Sequence, residues 1–406
     1  MTAPEGIRIK TSQDRTQGEE MRGEKRENKR EREREREEKR GGSHPSVVVA
    51  ISLLLVAAAM AEASPPILRL GTDCSGVGAA CMALAMLGIP FLHIFGSEVN
   101  KRAREQLQAT FEPSLFFYDL RRRQVGDVPR VDLYIAGFPC QPFSQAGSGT
   151  GFKDRVGGDL FFHIVHYIRE REPLIFILEN VEGIDRVSGG RCFEIILQTL
   201  WSLTNYNLYW RLLNTSEHGV PQNRPRYYFV GIWRASDRGT FAFPPMSPPA
   251  RLESFLDVRQ GRPSWVDLPP PSQSVARANL IRVLRRLDAS GCDPFLEPWV
   301  SDIDSSAGWE KKALYNASPC LTRSRWQGHW LTNRGRRMST SEMMRLQGFP
   351  VTLTQAIPDK PFRECLGNSM SLNILKPIIS SALGAIAWCY LADAWVWNQV
   401  PSHPRF

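Results

Sequence analysis

The chain has 406 residues, of which 42% are hydrophobic and 23% charged, a balance that provides for a large core and excludes a wholly disordered protein. The formal net charge of +9 is compatible with an anionic partner. The eight cysteines are scattered without a C-x-x-C pair, which argues against a zinc ribbon and against a disulfide-stabilised scaffold. We therefore expect a reducing compartment and no metal site.

The N-terminal part of the sequence does not have the pattern of a folded domain. Residues 1–45 contain few large apolar side chains and include the alternating charges REREREREEKR, which favours a disordered segment or a frayed, solvated helix. Residues 46–65 contain the apolar run SVVVAISLLLVAAAMAEA, which is short for a membrane span and resembles the apolar part of a secretory signal. A targeting remnant, a membrane anchor and an imperfect gene model are all open explanations, so membrane association is left open.

The first predicted strand starts near Ile67, in ILRLGTDCSGVGAACMALAMLG, where alternating apolar residues give way to a glycine loop and then to helical spacing. A strand, a glycine-rich turn and a helix N-terminus form a cradle whose backbone N–H groups can meet a ligand. Two further strands are predicted to end near Glu98 and Asp119. Together with Asp73, these carboxylates are expected at the carboxyl edge of a parallel sheet, where open α/β sheets bind ligands.

A cysteine follows the next predicted strand. The continuous apolar run VDLYIAGF is typical of a central parallel strand, and it leads directly into Pro139 and Cys140. A further buried strand, in PLIFILENVEGI, ends near Glu179. Later, QNRPR places Arg224 and Arg226 before another strand, in an extended alternation that points both side chains to the same side. The sequence thus predicts a thiol, a carboxylate and two guanidinium groups beside one ligand-binding edge.

In order and spacing these motifs resemble those of the DNA cytosine-5 methyltransferase family. The resemblance extends over residues 67–391 and rests on TDCSGVGA, GSEVN, GFPCQPFS, ENV, QNRPR, RLQGFP and GNS. It implies an α/β fold of the class I methyltransferase type, a Rossmann-like, doubly wound and mostly parallel sheet with a small irregular target-recognition domain. It also implies methyl transfer from S-adenosylmethionine to C5 of cytosine in DNA.

The resemblance assigns a catalytic role to four residues. Cys140 would attack C6 of a flipped-out cytosine, which makes C5 nucleophilic. Glu179 would engage N3 and the exocyclic amine, and Arg226 would meet O2. Arg224 is expected to support the loop or a phosphate more than to touch the base.

The resemblance also assigns the S-adenosylmethionine site. Asp73, Ser75, Gly76 and Gly78 would surround the methionine part, Glu98 would bind the ribose and Asp119 the adenine. The remaining residues matched to the cofactor site are Pro139, Leu160, Asn368 and Ser369. The sequence departs from the family at Cys74, where an aromatic residue is usual, and at Met370, where a small β-branched residue is usual. We expect these two departures to alter the affinity for S-adenosylmethionine without loss of activity.

We expect residues 66–234 to form the catalytic and cofactor-binding domain and residues 235–337 the target-recognition region. Residues 338–395 would return to the catalytic domain, and residues 396–406 would form a tail. Because residues 232–318 are rich in proline, we expect no long regular element there. Residues 322–337 hold five arginines, two tryptophans and no acidic residue, which favours phosphate contacts and base stacking. The residues expected to bind nucleic acid are Arg323, Arg325, Arg334 and Arg336.

Two other functions compete with this interpretation. A branch of the same family methylates transfer RNA, although GFPCQPFS and GVPQNRPR are more similar to the DNA branch. A degenerate relative would bind DNA without catalysis, but Cys140, Glu179 and Arg226 are intact. We expect a monomer that acts on duplex DNA in the nucleus, or in an organelle such as a plastid if the apolar segment is a targeting signal.

Overall fold

A computed structural model describes residues 67–138, 159–248, 250–306, 313–386 and 388. The N-terminal segments 1–45 and 46–65 and the tail 396–406 lie outside the described residues. So do Pro139 and Cys140. The described residues belong to one compact unit, Pro65–Phe406.

The main sheet has seven strands in the order β3-β2-β1-β4-β5-β7-β6. The first five pair in parallel, whereas β7 is antiparallel to both β5 and β6. The strands are β1 (Leu68–Asp73), β2 (Phe91–Ser97), β3 (Leu115–Phe117), β4 (Leu133–Gly137), β5 (Ile175–Val181), β6 (Tyr206–Asn214) and β7 (Pro225–Trp233).

Along the central strands, apolar side chains point alternately to the two faces of the sheet, so both faces are covered by apolar clusters. On β4, Leu133 and Ile135 belong to one apolar cluster, and Tyr134 and Ala136 belong to another. Because successive side chains of a strand point to opposite faces, the two clusters lie on opposite sides of the sheet. The sequence prediction of a doubly wound, mostly parallel α/β sheet is therefore confirmed.

Helices cover the two faces. Helices α1 (Ala79–Met86), α6 (Thr340–Leu346), α7 (Asp359–Asn368) and α8 (Leu372–Ala385) contribute to the first cluster, and α3 (Leu160–Arg171) and α4 (Arg191–Trp201) contribute to the second. Helix α2 (Lys101–Phe111) starts at Asn100, whose side chain accepts hydrogen bonds from the backbone N–H groups of Arg102 and Ala103. Helix α8 packs against α1, so the C-terminal part of the chain returns to the first strand–helix unit.

The segment between β7 and α6 is more regular than its prolines predict. It contains the sixteen-residue helix α5 (Ser274–Ala289) and an antiparallel sheet in the order β11-β10-β8-β9. The strands are β8 (Trp299–Ser301), β9 (Ala313–Tyr315), β10 (Trp330–Leu331) and β11 (Arg336–Arg337). The expectation of no long regular element is wrong, because the stretch between Pro271 and Pro294 is free of proline and buries an apolar stripe. The domain boundaries given above stay predictions.

No helix within the part of the chain that the structure describes has the length and apolar character needed to cross a membrane.

Candidate active site

The glycine loop after β1 has a left-handed backbone at three positions and is hydrogen-bonded to the end of β2. Cys74, Gly76 and Gly78 all have positive φ angles, of 51°, 55° and 83°. A Cβ atom on Gly78 would lie 2.9 Å from Leu107, so the turn needs glycine there for space as well as for conformation. The Ser75 hydroxyl donates to the carbonyl of Ser97 at 3.1 Å, which ties the loop to the end of β2.

Glu98 lies beside this loop, immediately after β2. Its two carboxylate oxygens accept from the backbone N–H groups of Gly76, at 2.9 Å, and Asn100, at 2.8 Å. Burial raises the pKa of Glu98, and the two N–H donors oppose this shift. The predicted proximity of the glycine loop and this carboxylate is therefore present in the structure.

Asp73 is held in a buried cluster that the sequence analysis missed. Its carboxylate pairs with the guanidinium group of Arg123 and accepts from the hydroxyls of Ser97, at 2.6 Å, and Tyr134, at 2.5 Å. Burial is the main cause that raises the pKa of Tyr134 well above its usual value. Arg123 ends a run of three arginines, which in sequence is indistinguishable from a basic surface.

A cavity of about 240 Å³ opens at the carboxyl edge of the sheet. Among the predicted cofactor residues it is lined by Gly76, Glu98, Asp119, Leu160 and Asn368, and among the predicted catalytic residues by Glu179, Arg224 and Arg226. Residues from strand ends far apart in the chain thus share one cavity, as expected for an open α/β sheet. Asp73, Ser75, Gly78 and Ser369 are not part of its lining.

Asp119 lies on the cavity wall with its carboxylate bound to Arg121 at 2.8 Å. This hydrogen-bonded pair is the main reason that the pKa of Asp119 is lowered. Asp119 also caps the short 3₁₀ turn that follows β3. Cys74, the first departure from the family pattern, lines the same cavity.

Glu179 and Arg226 face each other across the strands β5 and β7. The Nε of Arg226 lies 3.1 Å from a carboxylate oxygen of Glu179, and both side chains are nearly buried. Burial raises the pKa of Glu179, while the charges of Arg226 and Arg224 oppose the shift. A buried carboxyl with a raised pKa can act as a proton donor near neutral pH.

Arg224 lies behind this pair and binds the backbone of two other segments. It donates to the carbonyl oxygens of Leu321 at 2.7 Å, Gly367 at 3.2 Å and Ser369 at 2.7 Å. Its side chain is therefore fixed between the segment before α6 and the GNS motif at the end of α7, in agreement with a supporting role.

The arginines of residues 322–337, whose contacts with nucleic acid stay a prediction, each have an acidic partner outside this segment. Arg325 binds Asp302 at 2.8 Å, Arg336 binds Glu342 at 2.8 Å, and Arg334 binds Glu253 at 2.5 Å with only 5% of its side chain exposed. Arg323 is the most exposed of these arginines, since its side chain is 50% exposed and lies 3.9 Å from Glu364. Arg323 also lines the cavity.

Metal ligands do not cluster in the described ranges, where no group of three or more His, Cys, Asp or Glu side chains is placed to hold an ion.

Comparisons with solved structures support the fold. The methyltransferase Dnmt2 of S. pombe superposes with a TM-score of 0.54 over 79% of this chain and 100% of its own, at 18% identity. The methyltransferase EhMeth of Entamoeba histolytica gives a TM-score of 0.55 over 79% of this chain and 98% of its own, at 14% identity. At such low identity the likeness shows the fold alone.

Two proteins found by sequence comparison share more residues with this chain than the two solved structures do. The type II methyltransferase M.NgoBI of Neisseria gonorrhoeae is 34% identical over 74% of this chain and 89% of its own length. M.HaeII of Haemophilus aegyptius is 31% identical over 77% of this chain and 92% of its own. The expected location in the nucleus or an organelle is wrong, because these relatives are bacterial and bacteria have no nucleus. The motifs that carried the family resemblance hold no information on compartment.

The family itself is shown by the extent of the match. Residues 74–258 and 300–383 match the family described as C-5 cytosine-specific DNA methylase. These ranges contain the glycine loop, Glu98, Cys140, Glu179, both arginines of QNRPR and the GNS motif. The chain therefore belongs to the C-5 cytosine-specific DNA methylases, and it is an enzyme that methylates C5 of cytosine in DNA.

Proposed function

We propose that methylation takes place in the cavity at the carboxyl edge of the main sheet, through a covalent bond between Cys140 and C6 of a cytosine flipped out of duplex DNA. The observation that carries this proposal is the shared cavity. It holds the Glu179–Arg226 pair and the Glu98 carboxylate, and strand β4 ends at its wall, three residues before Cys140. The proposed enzyme acts as a monomer.

The cofactor class of the family is S-adenosylmethionine, and the residues present fit it. The carboxylate of Glu98 is held by two backbone N–H groups, so it is oriented to accept hydrogen bonds from ribose hydroxyls. Gly76, which lines the cavity, has no side chain, and this allows close approach of a ligand. Leu160 and Asn368 would close the site, and Asp119 would accept from an exocyclic amine. When bound, the cofactor supplies an electrophilic methyl group.

The chain's own residues would make the cytosine ring reactive. Attack of the Cys140 thiolate on C6 places negative charge on the ring, and this charge must be stabilised at N3 and O2. Glu179, with its raised pKa, would hold a proton toward N3, and Arg226 would donate to O2. After methyl transfer a base removes the C5 proton, the bond between Cys140 and C6 breaks, and the thiolate is released.

Trapping on modified DNA tests the covalent step. Duplex DNA with 5-fluorocytosine at the target position should form a stable adduct with the wild-type chain, because fluorine cannot leave as a proton does. Cys140→Ser should form no adduct and no product, while binding of S-adenosylmethionine, followed by calorimetry, should persist. Normal turnover by Cys140→Ser would contradict the proposal.

A further inference from the structure

Cys320, a thiol with no assigned role, lies between the two arginines of the catalytic cavity. Its Sγ is 3.3 Å from a terminal nitrogen of Arg224 and 3.6 Å from a terminal nitrogen of Arg226. Arg226 in turn contacts Glu179. Cys320 immediately precedes Leu321, whose carbonyl also accepts from Arg224.

These four side chains form a cluster in which two guanidinium groups face one carboxylate and one thiol. We call Glu179, Arg224, Arg226 and Cys320 the guanidinium cluster. A neutral thiol is a weak acceptor, whereas a thiolate accepts charge-assisted hydrogen bonds from guanidinium N–H groups. Two positive charges in a buried place favour two negative partners, because an uncompensated buried charge is costly.

Ionisation of Cys320 has specific electrostatic support. Burial is the largest single cause and acts to raise the pKa of this thiol, but the charges and hydrogen bonds of Arg224 and Arg226 together outweigh burial, so its pKa is lowered overall. Among the described residues, the thiols of Cys74 and Cys365, which line the cavity, show the opposite shift. Burial raises the pKa of Cys365 to about 12 and raises that of Cys74 as well. The low pKa therefore follows from the two arginines and not from the cavity in general.

We propose that Cys320 is a positioning residue of the methylation site, in which its thiolate is the shared counter-ion that holds Arg224 and Arg226 and balances their charge beside Glu179. The part of this proposal that concerns catalysis rests on the proposed roles of Glu179 and Arg226. The thiolate itself is inferred from the geometry of the guanidinium cluster; the carbonyl of Leu321, 3.4 Å from Sγ, is the acceptor that the neutral thiol would use instead.

The proposal has a direct consequence for the proton on Glu179. While Cys320 is an anion, it takes up part of the positive field of the arginines, so Glu179 keeps its raised pKa. With a neutral residue at position 320, the positive charges of Arg224 and Arg226 are no longer partly balanced by an anion there, so they stabilise the ionised carboxylate of Glu179 more strongly and lower its pKa. Other titratable side chains of the described chain that face this cluster include Tyr228, Arg323 and His329.

The sign of the pH effect follows. If protonated Glu179 is the active form, methylation declines as the pH rises through the pKa of Glu179. In Cys320→Ser this decline should therefore occur at a lower pH than in the wild type, and kcat near neutral pH should fall roughly tenfold with little change in the KM for DNA. Cys320→Asp restores a negative charge at the position and should move the decline back toward the wild-type pH.

Two measurements on the full chain test the proposal. The first follows the ultraviolet absorbance of thiolates during a pH titration of the wild type and of Cys320→Ser. The difference should contain one thiolate that forms below the pH at which free cysteine ionises. The second compares the pH profiles of kcat for the wild type, Cys320→Ser and Cys320→Asp, with Cys292→Ser as a control at a thiol that does not line the cavity.

Each outcome decides the matter. A difference spectrum without a low-pH thiolate overturns the proposal, and so does a Cys320→Ser profile that is lower in rate but unshifted in pH. Should Cys320→Ser fail to fold, the pH dependence of iodoacetamide labelling at Cys320 in the wild type replaces the titration. If the labelling rate of Cys320 falls, as the pH is lowered, over the same pH range as that of glutathione, the proposal is overturned. The spectroscopic result does not require methylation, so failure of the covalent mechanism at Cys140 would be recognised separately.

Discussion

At the scale of single residues, the cluster around Asp73 sets the position of the cofactor loop. The side chain of Asp73 is fully buried, and the side chain of its partner Arg123 is 4% exposed. Arg123 also lies over the rings of Phe95 and Tyr167, at 5.3 and 5.5 Å from their centroids. Because Asp73 directly precedes the loop, a displacement of Asp73 would also displace Gly76 and its hydrogen bond to Glu98.

Breaking this pair should be costly. Arg123→Met leaves the buried carboxylate of Asp73 without its cation, and we expect a loss of about 3 to 5 kcal/mol in the free energy of unfolding. Urea denaturation followed by circular dichroism measures the loss. The control Arg102→Met removes an exposed pair with Glu105 and should change stability by less than about 1 kcal/mol.

A second variant separates charge from packing. In Arg123→Met combined with Asp73→Asn the amide is neutral; its oxygen can accept from one of the hydroxyls of Ser97 and Tyr134, and its NH2 group can donate to the other. The double variant should therefore be more stable than Arg123→Met alone. A single variant as stable as the wild type would show that the pair does not fix the loop.

At the scale of elements, the close contact between α7 and the turn after Leu321 joins the cofactor side of the cavity to the base side. A Cβ atom on Gly367, in the GNS motif, would lie 2.3 Å from the carbonyl carbon of Thr322 and 2.6 Å from the nitrogen of Arg323. Both contacts are with backbone, which cannot rotate away. The contact therefore requires glycine at position 367.

Gly367→Ala should reverse the usual effect of alanine in a helix. Alanine normally stabilises a helix relative to glycine by about 1 kcal/mol, but here the added methyl group should destabilise the fold by about 1 to 3 kcal/mol. It should also weaken binding of S-adenosylmethionine, which calorimetry would measure. Gly126→Ala is the matched control, since no heavy atom lies within 4 Å of its added Cβ. Equal behaviour of the two variants would contradict this account of the contact.

At the scale of the whole molecule, the net charge of +9 says little about which arginines meet DNA. The fold brings Glu253, Asp302 and Glu342 to the arginines of residues 322–337, so much of that local positive charge is neutralised. Arg323 retains an exposed side chain beside the cavity. We therefore expect the phosphate contacts of this segment to centre on Arg323.

Salt dependence distinguishes the arginines. Arg323→Ala should reduce the slope of log binding constant against log salt by about one unit, as expected for one lost phosphate contact. Arg334→Ala should leave the slope unchanged and lower the melting temperature instead, because it removes the ion pair that the nearly buried guanidinium of Arg334 makes with Glu253. Fluorescence anisotropy with duplex DNA at several salt concentrations gives the slopes. A reduced slope for Arg334→Ala alone would restore the sequence-based expectation.

The sequence by itself determined the fold class, the family and most of the cavity. Strands buried on both faces are continuous apolar runs, and parallel strands place the residues that follow them at one edge, so Glu98 and Glu179 could be assigned to one site from their positions alone. The glycine loop follows the same logic, because turn preferences are local. Cys140 was assigned in the same way and lies outside the described residues.

Only the tertiary structure decided the partners of the charged and polar groups. Asp73 and Arg123 are separated by 50 residues, and Arg224 and Cys320 by 96. No local pattern specifies contacts at such separations, because they arise when strands and helices from different parts of the chain pack together. The same reason explains why the acidic partners of the arginines of residues 322–337 could not be read from the sequence, and why the role proposed for Cys320 required the fold.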